Sequence, residues 1–238
     1  MGTLDRLEHF RRRYAALTLG WVPATAHYQQ RVAELLAPGR RVLDLGCGRG
    51  GIVERLGDTG MWLAIDPDWH SLIAHRRPAL PRSCAVSARL PFPTASFDIV
   101  VASWVLEHLD RPERTFHEIA RVLRPGGTFL FLTPNAAHPI PRLTMALVWM
   151  QRWLQERAVP RVYGRSALDA FPVAYRANTI EEIERLAACS GLRLVEIALV
   201  GDPAYFAWDD LTFCVAVVLE LLLPGLRKVH LVGAYRRS

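Results

Sequence analysis

The chain has 238 residues, of which 51% are hydrophobic, and this is enough to bury one large core in a single domain. Its formal net charge of +6 comes from arginines scattered along the chain, not from one basic block, so no nucleic-acid partner is expected. The four cysteines stand far apart without a C-x-x-C pair, which predicts neither a zinc site nor disulfides but a reducing compartment, the cytoplasm.

Short apolar runs alternate with helical patterns from about residue 40 to residue 133, which is typical of a three-layer α/β/α domain with a mostly parallel sheet. Seven strands are predicted: Arg41–Leu45, Trp62–Ile65, Ser83–Val86, Phe97–Ala102, Thr128–Thr133, Leu192–Val200 and Val229–Arg236. Pro23 and Pro112 predict first-turn positions of helices, and Thr179 with Glu182 predicts a capping box. A turn at residues 124–127 is expected to feed the fifth strand.

The strongest signal is the segment Val42–Gly51, in which a buried strand runs directly into a glycine-rich turn. Gly46 and Gly48 would let a ligand approach the backbone closely. Together with Gly51 they also match G-x-G-x-x-G, so a nicotinamide-dependent oxidoreductase is an alternative. Asp44 argues against that alternative, because this acid would face the pyrophosphate of NAD, whereas a cationic nucleoside without phosphate fits better.

The second strand ends in Asp66, which is expected to lie beside the glycine loop, where its carboxylate can accept both hydroxyls of a ribose. Since Asp66, Pro67 and Asp68 precede a helical stretch, a helix N-cap is the alternative role for Asp66.

Five ordered segments resemble the motifs of class I S-adenosylmethionine-dependent methyltransferases of the small-molecule type: Val42–Gly51, Asp66, Leu90–Pro93, Ser96–His108 and Arg121–Asn135. The resemblance covers about residues 31–135. It implies a Rossmann-like sheet in the order 3-2-1-4-5-7-6 with strand 7 antiparallel. It also implies that S-adenosyl-L-methionine binds across the ends of strands 1, 2 and 4.

The resemblance places the cofactor at Asp44, Gly46, Cys47, Gly48, Asp66, Pro67, Ser87, Ala88 and Ser103. In it, the glycine loop lines the methionine end, Asp66 the ribose, and Ser103 the floor below the sulfonium. Val86 departs from the pattern, since relatives usually carry Asp or Asn there to contact the adenine amino group. Adenine recognition is therefore expected from backbone groups near Ser87 and Ala88, or from the Ser87 hydroxyl.

Methyl transfer needs an acceptor atom held in line behind the methyl group, and a hydroxyl acceptor also needs a base. Glu107 and His108 follow strand 4 and are the first candidates for a base or a positioning residue, with packing of a short helix as the alternative for His108. His138 and Tyr175 are further candidates, with solvent exposure and core packing as their respective alternatives. His230 is placed on the last strand, away from the site, and no metal is expected.

The chain is interpreted as one domain, with a helical cap at 1–39, a cofactor-binding core at 40–135, a lid or substrate insert at 136–178, and the rest of the sheet at 179–238. Tyr14, Trp21 and Tyr28 of the cap are available to line the cofactor. The insert is interpreted as a hydrophobic lid, with a basic surface or a packed amphipathic helix as alternatives.

The apolar stretch Tyr205–Leu223 predicts a core helix, with a dimer interface or shallow attachment to a membrane as alternatives, and it is too short and too interrupted by Glu220 to span a bilayer. The expected function is methylation of a small-molecule, lipid or glycan-linked acceptor by a monomer or homodimer. The alternatives are an oxidoreductase and a non-catalytic partner protein that holds the cofactor.

Overall fold

The computed structural model describes residues 3–57, 59–139 and 173–238, and it is built around one seven-stranded sheet. The strands are β1 Arg41–Leu45, β2 Met61–Asp66, β3 Arg82–Cys84, β4 Phe97–Ser103, β5 Leu123–Pro134, β6 Leu192–Val200 and β7 His230–Arg237. Their order is β3-β2-β1-β4-β5-β7-β6, and β7 is antiparallel to both of its neighbours. The predicted fold class and strand order are confirmed.

The helices that surround the sheet are α1 Thr3–Leu17, α2 Ala24–Leu35, α3 Ile52–Leu56, α4 Trp69–Ile73, α5 Pro112–Val122, α6 Ile180–Cys189 and α7 Asp210–Leu222. Pro112 is the first residue of α5, as predicted, but Pro23 is the N-cap of α2 and stands one residue before its first turn. The Thr179 hydroxyl caps α6 by accepting from Glu182 N, while the Glu182 carboxylate accepts from Asn178 N instead of Thr179 N.

The central strands are mostly apolar because both faces of the sheet are covered, with Asp44 of β1 and Asp98 of β4 as acidic exceptions. Leu43 of β1 and Val100 of β4 point into one buried cluster with α5 and α6, while Val42 and Ile99 point into the opposite cluster with α2. This alternation along each strand produces a core on both sides of the sheet.

The segment 124–127 lies within the bounds of β5, although a turn before the strand was predicted. Leu123 pairs with Phe97 and Thr128 with Ile99, so β5 advances five residues while β4 advances two. The extra residues bulge out at Gly126, whose φ is +76°.

The carboxyl ends of β1, β2, β4 and β5 form one edge of the sheet. Since β7 runs antiparallel, its first residue, His230, pairs with Pro134 at the end of β5 and with Val200 at the end of β6. His230 therefore lies at this edge, and the prediction that placed it away from the site is wrong.

The prediction of a core helix over the late apolar stretch is also wrong. Helix α7 buries only Phe213, Ala216 and Glu220, while most of its leucines and valines are exposed. No helix among the described residues is long and apolar enough to cross a membrane. Most of the predicted lid, residues 140–172, lies outside the described residues.

Candidate active site

The glycine loop after β1 is shaped by backbone conformations that favour glycine. Gly46 has a φ of +73°, and its N–H and that of Cys47 donate to Ile65 O at 2.8 and 3.0 Å. A Cβ at Gly46 would come within 2.5 Å of Val105 Cγ2, so no larger residue fits there. A Cβ at Gly48 or Gly51 would meet nothing within 4 Å, which leaves open space along the loop for a ligand.

Asp66 is buried at the end of β2 and is tied to the loop by hydrogen bonds. One carboxylate oxygen accepts from Gly48 N at 2.8 Å, and the other accepts from Asp68 N at 2.8 Å. The N-cap of α4 is Asp68, whose carboxylate accepts from His70 N and Ser71 N, so the alternative role of Asp66 as an N-cap is wrong. The orientation of Asp66 leaves lone pairs for hydroxyl donors, since each carboxylate oxygen carries two.

Asp44 is 4% exposed and has no hydrogen bond or ion pair to any described residue. Burial, and then the neighbouring Asp66 carboxylate, raise the pKa of Asp44 to about 7. Burial and the same two carboxylates raise the pKa of the Cys47 thiol to about 12, so this side chain is a neutral thiol. A positively charged ligand would stabilise the ionised form of Asp44, because an opposite charge favours the charged form of an acid.

These observations fit a cofactor that carries a positive charge beside a ribose and has no phosphate. The Asp44 carboxylate, buried beside the glycine turn, would repel the pyrophosphate of NAD. The residues present therefore fit S-adenosylmethionine, with Asp44 near its charged end, Asp66 at the ribose, and the backbone of residues 46–48 along its length.

The loop after β3, which was predicted to contact the adenine, has its Ser87 side chain in contact with α5. The Ser87 hydroxyl lies 3.0 Å from the Thr115 hydroxyl of α5, and Val86 is exposed. Ala88 is half-buried on the same loop, and the Cys84 thiol donates to Pro67 O at 3.4 Å. The Thr115 contact takes up one hydrogen-bonding position of the Ser87 hydroxyl, and the adenine contacts of Ser87 and Ala88 stay a prediction.

Trp104 follows Ser103 at the end of β4 and was not singled out from the sequence. It has a φ of +60°, which is costly for a bulky side chain, and its N–H donates to Leu132 O at 2.8 Å. Its ring lies 5.2 Å from the His230 ring. Strained backbone of this kind cannot be recognised from residue types, and it concentrates at functional sites.

Glu107 and His108 lie in the short 3-10 turn Leu106–His108 after β4. The Glu107 carboxylate is buried and accepts from the Thr133 hydroxyl at 3.1 Å, while its main-chain oxygen accepts from Ala174 N and Tyr175 N. Burial raises the pKa of Glu107. The structure thus brings Glu107, His108 and Tyr175 together. The hydrogen bonds of Glu107 hold the turn Leu106–His108 against residues 174 and 175.

His138 belongs to a second group, which lies at the end of β5 and the start of β7. It is 2% exposed and stacks on Phe206 at 5.8 Å, so its alternative as a solvent-exposed loop residue is wrong. Burial and the Lys228 charge lower the pKa of His138 to about 4, and burial, Arg11 and His138 lower the pKa of His230 to about 3. Both imidazoles are neutral at physiological pH.

The three aromatic residues of the helical cap have different surroundings. Tyr28 of α2 is buried close to Asp44, and burial together with that carboxylate raises the pKa of Tyr28. Tyr14 and Trp21 pack edge to face at 4.9 Å, and Trp21 Nε1 donates to Gly201 O at 2.8 Å. Of the three, Tyr28 is the one that lies close to Asp44.

Residues 43–131 match a family model described as a methyltransferase domain. The chain is 42% identical over 110 residues to a probable S-adenosylmethionine-dependent methyltransferase of Mycolicibacterium smegmatis, which covers 44% of this chain and 42% of that protein. It is 33% identical over 176 residues to a demethylmenaquinone methyltransferase of Mycolicibacterium paratuberculosis, covering 69% of this chain and 70% of that protein.

Among solved structures, geranyl diphosphate C-methyltransferase from Streptomyces coelicolor, in complex with Mg²⁺, geranyl diphosphate and S-adenosyl-L-homocysteine, superimposes with a TM-score of 0.61. Its sequence identity is 16%, over 90% of this chain and 80% of that chain, which demonstrates a shared fold.

The chain belongs to the class I S-adenosylmethionine-dependent methyltransferases. The predicted cofactor, S-adenosyl-L-methionine, is thereby confirmed, and the nicotinamide alternative is not supported. The chain spans 42% of the length of the M. smegmatis relative.

Proposed function

We propose that this protein transfers the methyl group of S-adenosylmethionine to a small apolar acceptor. The observation that carries the proposal is the buried Asp44 and Asp66 pair beside the glycine loop, a site suited to a cationic nucleoside. When bound, S-adenosylmethionine supplies an electrophilic methyl group on a positively charged sulfur. The residues of the chain bind the cofactor, orient the acceptor and handle its proton.

In this proposal Asp66 accepts hydrogen bonds from the ribose, and Asp44 balances the positive charge. The backbone of Gly46, Cys47 and Gly48 approaches the methionine end, while Ser103 and Trp104 form the floor at the end of β4. Positioning of the acceptor at this floor provides much of the rate, because in-line geometry removes the entropy of bringing the two reactants together.

His108 is proposed as the residue that positions the acceptor and takes its proton when the acceptor is a hydroxyl. It is half-buried next to Glu107, and the hydrogen bonds of Glu107 to Thr133 and to the backbone of residues 174 and 175 hold this turn in place. Tyr175 and His138 are proposed to line the acceptor side, His138 as a neutral imidazole.

The acceptor is proposed to be a small, lipid-like molecule. One relative is named for demethylmenaquinone and one structural neighbour contains geranyl diphosphate, which are both small molecules. The aromatic contacts of Trp104 with His230 and of His138 with Phe206 support an apolar acceptor. The four free cysteines support a reducing compartment, the cytoplasm.

The test of this proposal is calorimetry followed by a turnover assay. We expect S-adenosylmethionine and S-adenosylhomocysteine to bind with micromolar affinity and NAD not to bind. A screen of small apolar acceptors with methyl-labelled cofactor should then reveal label transfer. Binding of NAD without binding of either sulfur cofactor would refute the proposal.

A further inference from the structure

Helix α7 presents an apolar face that none of the described elements covers. Between Leu211 and Leu222 it has seven exposed positions, and all of them are apolar or cysteine. They are Leu211, Cys214, Val215, Val218, Leu219, Leu221 and Leu222. Leu211, Leu221 and Leu222 are 73%, 74% and 75% exposed, so they are close to fully open to solvent. No element within residues 3–57, 59–139 and 173–238 covers this face.

The opposite face anchors the helix to the domain. Phe213 is buried against Phe10 of α1 with ring centroids 5.0 Å apart, and the Arg13 guanidinium lies over the Phe213 ring at 4.8 Å. Glu220 is also buried, and Lys228 pairs with it at 2.7 Å. The helix is therefore held with a fixed side outward, and that side is the apolar one.

The width of the apolar face on α7 favours contact with a membrane interface over contact with a second helix. At 3.6 residues per turn, the exposed positions cover an arc of about 160° around the helix. A pair of packed helices needs only a narrow seam, whereas a broad apolar arc suits a helix that lies in the plane of a membrane interface. From Leu211 to Leu226 the single charged residue is Glu220, and it is buried.

The residues at the margins of the face match the region of lipid headgroups. Tyr205 and Trp208, which are 45% and 66% exposed, precede the helix. Exposed Arg227 follows it, and Arg13 of the neighbouring helix α1 pairs with Asp210 at the first turn of α7. Tyrosine and tryptophan favour the membrane interface, and arginine pairs with anionic headgroups.

The position of the helix connects this face to the site. Residues 201–229 join the end of β6 to the start of β7, and both lie at the carboxyl edge where Asp66 and Trp104 are found. A bilayer bound to α7 would therefore lie beside the edge of the sheet that holds the site.

We propose that α7 docks this protein onto an anionic lipid bilayer, with its exposed apolar face buried in the interface. The proposal stands on the burial and composition of α7 and does not require methyl transfer. A chain that binds vesicles but no S-adenosylmethionine would refute the proposed function alone, and the converse result would refute docking alone.

The first experiment is sedimentation with vesicles of phosphatidylcholine and phosphatidylglycerol. We expect the unaltered protein to bind and the double variant Leu219→Gln/Leu222→Gln to have at least a tenfold lower partition coefficient. The matched control is Met61→Gln/Ile73→Gln, whose residues are 60% and 61% exposed on other elements and should not matter. Unchanged melting temperature and cofactor affinity would show that the α7 variant is folded.

The second experiment places an environment-sensitive fluorophore on the face itself. Cys214 is labelled in a chain with Cys84→Ser and Cys189→Ser, and the control labels Cys189 of α6 in a chain with Cys84→Ser and Cys214→Ser. Vesicles should shift the emission to the blue at Cys214 and leave it unchanged at Cys189. Absence of vesicle binding, equal binding by the α7 variant, or a dimer that this variant dissolves without any vesicle binding would each overturn the proposal.

Discussion

The backbone N–H of Gly48 donates a 2.8 Å hydrogen bond to the carboxylate of Asp66, and this bond joins the glycine loop to the end of β2. The same carboxylate accepts from Asp68 N at 2.8 Å. The two contacts orient Asp66 before any cofactor binds, so its alignment costs little when a ribose arrives.

Replacing Asp66 with Ala should lower the affinity for S-adenosylhomocysteine by about 10- to 100-fold, because hydrogen bonds to a charged acceptor contribute about 1.5–3 kcal/mol. Titration calorimetry measures the change. Asp98→Asn is the matched control, since this carboxylate lies near the amino end of β4 and pairs with Arg124. An Asp66→Ala protein that binds as tightly as the control would remove Asp66 from the site.

We expect Asp44 to make the free energy of unfolding depend on pH. Its pKa is raised from 3.8 to about 7 in the folded protein, so the folded state holds a proton that the unfolded state releases. The contribution of Asp44 to the free energy of unfolding should therefore fall as pH rises from about 4 to about 7 and then level off, while the lowered pKa values of His138 and His230 contribute a rise over the same range. Asp44→Asn should abolish this decrease and stabilise the cofactor-free protein at pH 8 by roughly 2–4 kcal/mol.

Denaturant unfolding at a series of pH values provides the measurement for Asp44. The control is Asp68→Asn, because hydrogen bonds from Ser71 and the backbone lower the pKa of Asp68 and give the opposite sign. If Asp44→Asn follows the same pH curve as the unaltered protein, Asp44 is not the source of the effect.

Gly46→Ala should destabilise the protein by about 2–4 kcal/mol, because it combines a left-handed backbone with a clash in a packed region. The new Cβ would lie 2.5 Å from Val105 Cγ2. Gly225→Ala, where a Cβ meets nothing within 4 Å, should change stability by less than about 0.5 kcal/mol. Thermal and urea unfolding compare the two variants, and equal melting temperatures would contradict the assigned loop geometry.

Thr133→Val should cost about 1–3 kcal/mol of stability, because it leaves buried polar groups without a partner. The Thr133 hydroxyl donates to Glu107 and accepts from Asn178 Nδ2 at 2.6 Å, and all three residues are buried. Thr128→Val on the same strand is the control. Similar urea midpoints for the two variants would show that the hydrogen bond between Thr133 and Glu107 does not stabilise the folded protein.

His108→Ala should reduce turnover by about 100-fold or more, in the range expected for loss of a proton-transfer group, while cofactor affinity stays nearly unchanged. The measurement pairs a labelled methyl-transfer assay with calorimetry. His117→Ala serves as the control, since His117 is exposed on α5. Unchanged turnover in His108→Ala would exclude His108 from the site.

The cofactor half of the protein could be predicted from the sequence because its signals are local. A buried strand, a glycine turn and an acid at the next strand end all lie within Val42–Asp66, so the sequence could predict that Asp66 lies beside the glycine loop, as the hydrogen bond from Gly48 N confirms. The apolar runs likewise predicted seven strands, since the pattern of burial along each strand depends on only a few consecutive residues.

Long-range contacts decided the rest. The sequence did not show that the Trp104 ring contacts the His230 ring. It also did not show that the Glu107 carboxylate is hydrogen-bonded in a buried network with Thr133 and Asn178. Nor did it show that Asp68, and not Asp66, is the N-cap of α4. It also predicted a core helix where α7 turns an apolar face outward. An apolar residue type records a preference for leaving water, but only the packing of distant segments determines which apolar residues find a protein partner and which stay exposed.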